Sequence, residues 1–140
     1  MTEPAQAAAR TPTPRARRRL RRLLAGGSRR ARDDLVALDR ALALASDTGA
    51  EADRGAALGR LAAVRASHAA LRRRLIAVPD AGASGHDAVA AFDLFDRALG
   101  AFANLLSGGP TPEGLAAADR ASELTARATA ELVRVYEGLR

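Results

Sequence analysis

Six arginines fall within eight residues near the start of the chain. They are Arg15, Arg17, Arg18, Arg19, Arg21 and Arg22. Guanidinium groups bind phosphate and carboxylate oxygens through paired, charge-assisted hydrogen bonds. All 22 basic residues are arginine, which a coding bias towards Ala, Gly and Arg explains as well as selection does. Their distribution is more informative, because residues 1–32 hold ten Arg against one acidic residue, for a net charge of +9, whereas residues 33–140 carry −3.

This concentration of charge predicts an anionic partner, because like charges within a Debye length of roughly 8 Å repel one another. Nucleic-acid phosphate is one candidate, and binding through it falls steeply with salt. The segment has no aromatic residues for base stacking, so such binding would be nonspecific. An anionic membrane surface is another candidate, because Leu20, Leu23 and Leu24 lie among the arginines at helical spacing. An acidic protein partner, or a solvated tail without a partner, stays open.

His68 is the residue in a helix interior with the most reactive side chain. Residues 67–72 resemble the phosphoacceptor helices of two-component signalling bundles, which carry a histidine on a four-helix scaffold. The acidic residue or Lys-Gly pair expected after that histidine is missing. The resemblance implies a histidine phosphotransfer domain that uses His68, whereas the residue pattern favours a histidine in the core or at its boundary.

The sequence predicts no enzyme, cofactor, metal site or small-molecule substrate. The chain has no cysteine, and neither His68 nor His86 follows an acidic residue at the spacing that di-iron bundles use. Phosphate-binding loops, catalytic triads and HExxH motifs are missing too. Asp93 and Asp96 are expected on a solvated face, with Asp93 paired to Arg97 one turn later.

Apolar spacing predicts four helices and no strands. The predicted helices cover approximately residues 15–46, 49–78, 85–107 and 112–138. Residues 1–14 are rich in Pro and small residues and are predicted to be a disordered tail. Thr48 with Glu51 reads as a capping box that starts the second helix, and Thr111 with Pro112 as the start of the fourth. Glycines at 26–27 are a weak point in the first helix, at about 1 kcal/mol each, and separate helices on either side stay open.

Short loops favour an antiparallel up-down-up-down four-helix bundle with a disordered basic N-terminal arm, within an all-α fold class. If the first two helices form a hairpin that turns near Asp47, His68 lies opposite Gly27. The same hairpin brings the start of the first helix beside the end of the second. Three further arginines, Arg72, Arg73 and Arg74, then join the six above in one polyanion-binding surface.

The resulting prediction is a noncatalytic binding or adaptor protein whose arginine-rich end engages a polyanion. The alternative is a protein–protein interaction module, with homodimerisation through a small-residue face at Ser122, Thr125 and Ala128. The spacing of Phe92, Phe95 and Phe102 matches a groove-binding helix and a core seam equally well. A core seam is favoured because the chain has only three Phe and its core needs them. A cytoplasmic location is expected, since the chain has neither an apolar stretch of roughly 18 residues nor a secretory signal pattern.

Overall fold

The structure, a computed structural model, describes residues 10–108 and 111–140. Within these residues it has four helices and no strand: α1 (Pro14–Thr48), α2 (Glu51–Ile76), α3 (Gly82–Gly108) and α4 (Pro112–Gly138). The all-α prediction is therefore confirmed. Residues 1–9, which make up most of the predicted disordered tail, lie outside the described residues.

The two ends of helix α1 carry residues that favour helix termini, a proline at its first position and a glycine C-cap directly after its last residue. Thr13 is the N-cap, and its Oγ1 accepts a hydrogen bond from the Ala16 amide at 3.2 Å. Pro14 occupies the first helical position, where a missing N–H has no cost. At the other end Gly49 adopts a left-handed conformation with φ 62°. The helix is continuous through Gly26 and Gly27.

Residues 10–13 lie against the loop between α2 and α3, which differs from the predicted tail of residues 1–14. The Ala83 amide donates to the Arg10 carbonyl at 2.8 Å, and the Thr13 amide donates to the Asp80 carbonyl at 3.3 Å. Gly82 has φ 59°, and the Arg10 carbonyl occupies the space that a Cβ would fill there. The sequence reading missed this contact because it depends on a loop about 70 residues away.

The predicted capping box at Thr48 is wrong. Thr48 is the last residue of α1, and its hydroxyl donates to the Leu44 carbonyl within that helix at 3.0 Å. Helix α2 instead begins at Glu51 after an Ala50 N-cap that makes no side-chain capping bond. The predicted cap of the last helix is confirmed, because Thr111 Oγ1 accepts from the Gly114 amide at 3.0 Å.

The core consists of two clusters of buried side chains. The first cluster draws on all four helices and contains both Phe92 and Phe95, each 4% exposed, which confirms that they form a core seam. Its buried members from α1 and α2 are Ala16, Leu20, Leu23, Leu24 and Leu75. The second cluster joins Leu38 of α1, Leu61 and Val64 of α2, and Leu99 of α3, with Phe102 packed against it.

Gly27 faces Leu71, not His68 as the hairpin register predicts. A Cβ at position 27 would overlap the Leu71 side chain. The close approach of α1 and α2 at this point therefore depends on the absence of a side chain at Gly27. His68 lies instead between α2 and α3, beside Phe92 and Phe95.

We expect Gly26→Ala to raise the free energy of unfolding by about 1 kcal/mol, because alanine costs less backbone entropy than glycine inside a helix. Gly26 is exposed, and no atom lies within 4 Å of the position its Cβ would take. Gly27→Ala is the matched comparison, and its gain should be smaller because Leu71 must move. Urea unfolding midpoints with unchanged slope measure both; a destabilised Gly26→Ala protein would contradict the packing described here.

Candidate anion-binding site

The first part of helix α1 buries its leucines and leaves most of its arginines exposed. Leu20, Leu23 and Leu24 are 0%, 9% and 5% exposed and belong to the first core cluster. The predicted membrane-binding patch on these leucines is therefore wrong, because they are already buried within the bundle. The neighbouring arginines remain at the surface, where Arg18, Arg19, Arg21 and Arg22 are exposed.

Three of these arginines line one cleft between α1 and α4. The cleft has a volume of about 280 Å³, and Arg18, Arg21, Arg22 and Ala25 form its α1 side. Positions 18, 21 and 22 share one face of a helix because they are three and four residues apart. Tyr136, which is half-buried against the first core cluster, forms the α4 side.

The polar side chains of this cleft have no partners in the described part of the chain. Among residues 10–108 and 111–140, no carboxylate pairs with Arg18, Arg21 or Arg22, and the Tyr136 hydroxyl makes no hydrogen bond. The first turn of α1 contains no acidic residue. The cleft arginines also repel one another, because like charges three and four residues apart on a helix lower its stability unless an anion is bound.

The other predicted arginines fall into four groups, of which Arg72 alone is the last. Arg17 contacts α4, where its Nη1 donates a hydrogen bond to the Gly138 carbonyl at 3.4 Å. Arg15 and Arg19 are exposed on α1 outside the cleft. Arg73 and Arg74 are exposed in the last turn of α2, where the negative end of that helix stabilises cations.

Arg72 is tied to α3 by an ion pair. Its Nε lies 2.7 Å from Asp93 Oδ1, and Arg65 Nε similarly lies 3.1 Å from Asp96 Oδ1. The predicted pairing of Asp93 with Arg97 is wrong, because both carboxylates reach across to α2. The nine predicted arginines are therefore not equivalent to one another. Asp93 partly neutralises the charge of Arg72, whereas the three cleft arginines have no carboxylate partner among the described residues.

Tyr136 was missed by the sequence reading. It is the chain's single tyrosine, and it lies one residue beyond the buried Val135 of α4. Its meeting with Arg18 depends on contact between the first and last helices, which local spacing does not encode. The available signal was its position near the end of the last helix, which returns towards the start of the first in an up-down bundle.

His68 is buried rather than presented to solvent. It is 5% exposed, and its ring centroid lies 5.4 Å from that of Phe92 and 5.3 Å from that of Phe95. Neither ring nitrogen has a hydrogen-bond partner. Burial lowers the pKa of His68, although Asp34 and Asp96 act in the opposite direction.

A small cavity of about 230 Å³ adjoins His68 and is also lined by Arg72, Asp93 and Asp96. The ring nitrogens themselves are covered, so the imidazole is not placed to accept a phosphoryl group from a partner. His86, by contrast, is exposed in the first turns of α3. In the described ranges, no three His, Asp or Glu side chains are grouped so that they could hold a metal ion.

No family model matches the chain, and comparisons with curated proteins and with solved structures gave no significant match. None of the four described helices is long and apolar enough to cross a membrane. A candidate function therefore has to be argued from the α1–α4 cleft and its unpaired arginines.

Proposed function

We propose that this protein is a noncatalytic binding protein whose arginine-rich face on α1 engages the phosphate backbone of a nucleic acid. The observation that supports this most directly is the cleft formed by Arg18, Arg21, Arg22 and Tyr136, whose guanidinium groups have no carboxylate partner among the described residues. Unpaired arginines retain their full charge for an incoming anion. The proposal places the protein in the cytoplasm, as the sequence predicts.

The proposed bundle topology is antiparallel and up-down-up-down. Leu20 from the start of α1 shares the first core cluster with Leu75 from the end of α2. Leu38, further along α1, shares the second cluster with Leu61, which lies earlier in α2. An antiparallel helical hairpin produces this order of contacts. It supports a bundle in which the start of α1 and the end of α2 lie at the same end.

A linear polyanion suits the surface of α1 better than a membrane does. The exposed residues Arg18, Arg22, Arg29 and Arg32 recur at helical spacing along one stripe. At 1.5 Å of rise per residue the stripe is about 21 Å long, enough to follow several consecutive phosphates. The leucines that would enter a lipid headgroup layer are buried instead.

The alternative of a dimer through α4 has less support. Ala128 is buried within the first core cluster of its own chain. The hydroxyls of Ser122 and Thr125 donate to the carbonyls of Ala118 and Ala121 in the same helix, at 3.1 and 2.9 Å. The face that the sequence suggested for a second copy is therefore partly occupied by intrachain contacts.

We expect the intact protein to bind duplex DNA of unrelated sequences with similar affinity and strong salt dependence. The logarithm of the association constant should fall linearly with that of the salt concentration, with a slope of about −0.9 for each phosphate contacted. Fluorescence anisotropy of labelled duplexes measures this. Anionic lipid vesicles form the comparison arm: binding to vesicles alone would overturn the proposal in favour of a membrane, and binding to neither would favour the protein-interaction alternative.

A further inference from the structure

We infer that the α1–α4 cleft recognises a terminal phosphate monoester of the nucleic acid, in addition to the diester backbone that the stripe on α1 contacts. The inference rests on the proposed function, because it names the group that this same surface would select. The inference follows from the hydrogen-bond donors that line the cleft, which are three guanidinium groups on α1 and one tyrosine on α4.

The donors of the cleft carry more charge than one backbone phosphate can match. Arg18, Arg21 and Arg22 bring three positive charges to one cleft, whereas a diester phosphate has a single negative charge. A monoester carries about −1.5 to −2 at neutral pH and offers three acceptor oxygens. Guanidinium forks bind such oxygens in pairs, so three of them fit a monoester better than a diester.

Tyr136 adds a neutral donor opposite the arginines. Its hydroxyl makes no hydrogen bond in the described part of the chain, and Tyr136 lines the cleft from α4. Donors on two helices can surround a phosphate that projects from the end of a strand.

The C-terminal end of α4 lies close to the start of α1, and its negative charge is offset by Arg17. A helix C-terminus is negative and would repel phosphate. Arg17 donates to the Gly138 carbonyl at this end, which offsets that negative charge without drawing on the three arginines of the cleft. Arg17 therefore offsets the negative charge of this helix end, and the three cleft arginines stay available as ligands.

Two duplexes of one sequence, which differ only in a 5′-phosphate or a 5′-hydroxyl, test the inference. We expect the full-length protein to bind the phosphorylated duplex about tenfold more tightly, the effect of one or two added charge-assisted hydrogen bonds. A 3′-phosphorylated duplex forms a third arm and shows which strand end supplies the monoester. Tyr136→Phe should reduce the preference for the phosphorylated duplex by several fold. Its helix content and thermal unfolding midpoint, measured by circular dichroism, should match those of the wild type, which separates this effect from a loss of folding.

Inorganic phosphate provides a readout that does not depend on nucleic acid. Because the chain has one tyrosine and no tryptophan, the intrinsic fluorescence of Tyr136 reports on the cleft directly. Phosphate should change this fluorescence in the wild type, and the change should be lost in Arg22→Gln. The exposed Arg127, on α4 and outside the cleft, gives the matched control Arg127→Gln, which should respond like the wild type.

The outcomes separate the two proposals. Equal affinity for the phosphorylated and hydroxyl duplexes would overturn the inference and leave nucleic-acid binding intact. A fluorescence response to phosphate without any duplex binding would support the monoester site and overturn the proposed function. Binding to neither ligand would overturn both.

Discussion

Replacing Arg18, Arg21 and Arg22 together by glutamine should make duplex binding much less sensitive to salt. On a duplex with hydroxyl ends, which offers no monoester, each of the three arginines can contact a separate backbone phosphate. The slope of the logarithmic salt dependence should then fall by about 2.7. Between 50 and 200 mM salt the wild type should therefore lose about 40-fold more affinity than the variant does. Anisotropy titrations at a series of salt concentrations measure the two slopes.

The matched control is a second triple variant with the same change in charge. Arg60, Arg120 and Arg127 are exposed, have no carboxylate partner in the described ranges and do not line the cleft. Their replacement by glutamine should change the slope far less. Equal slopes in the two variants would show that total charge governs binding and that the cleft has no special part in it.

Neither triple variant should fail to fold. The six arginines are exposed, and surface substitutions away from special features usually change stability by less than about 0.5 kcal/mol. The cleft variant should even gain a little stability, because it removes like-charge pairs three and four residues apart on one helix face. Thermal unfolding of both proteins checks this before the titrations are compared.

Local residue patterns were sufficient to predict the helices and much of the core. The spacing of Leu20, Leu24 and Leu38 in α1 matches the face that the structure buries. The Thr111 cap and the Phe92 and Phe95 seam also depend on neighbours within one helix, and both are confirmed. Periodicity of this kind reports the preferred face of a helix before any tertiary contact is known.

The register between helices was not predictable in the same way. Taking Thr48 as an N-cap moved the hairpin turn towards Asp47, whereas the turn lies at Gly49 and Ala50. The residue opposite Gly27 therefore changed from His68 to Leu71, almost one helical turn further along α2. An error of two residues at a turn becomes a change of contact partner throughout the hairpin.

Contacts between distant helices decided which arginines form the candidate site. Arg72 looked equivalent to Arg73 in the sequence, yet Asp93 on α3 pairs with Arg72 alone. Tyr136 likewise gains its role only because α4 packs beside the start of α1. Composition showed where positive charge is concentrated, and only the packing of the helices showed which charges remain unpaired.

His68→Leu should raise the free energy of unfolding by about 1–2 kcal/mol at neutral pH. Both imidazole nitrogens are buried without hydrogen-bond partners, and each such group costs about 1–3 kcal/mol. Leucine fills a similar volume without polar atoms. The ring contacts with Phe92 and Phe95, worth about 0.5–1.5 kcal/mol, would be lost and offset part of the gain. Urea unfolding at pH 7.5 measures the difference.

The same substitution should remove a dependence of stability on pH. Burial has the largest effect on the pKa of His68 and lowers it below its ordinary value of 6.5, although Asp34 on α1 and Asp96 on α3 favour the protonated imidazole. Arg72 and Asp93 also line the cavity beside the ring. Below pH 6.5 the unfolded chain therefore binds a proton more readily than the folded one, so the wild type becomes less stable as pH falls.

This loss is at most about 1.4 kcal/mol per pH unit, and it continues until the pH reaches the lowered pKa of the folded protein. Between pH 7.5 and 5.5 the advantage of His68→Leu over the wild type should consequently widen. His86→Asn removes an exposed imidazole and should follow the wild-type curve. Parallel curves for His68→Leu and the wild type would mean that the folded protein accommodates a charged His68, which is incompatible with an unpaired imidazole packed between two phenylalanine rings.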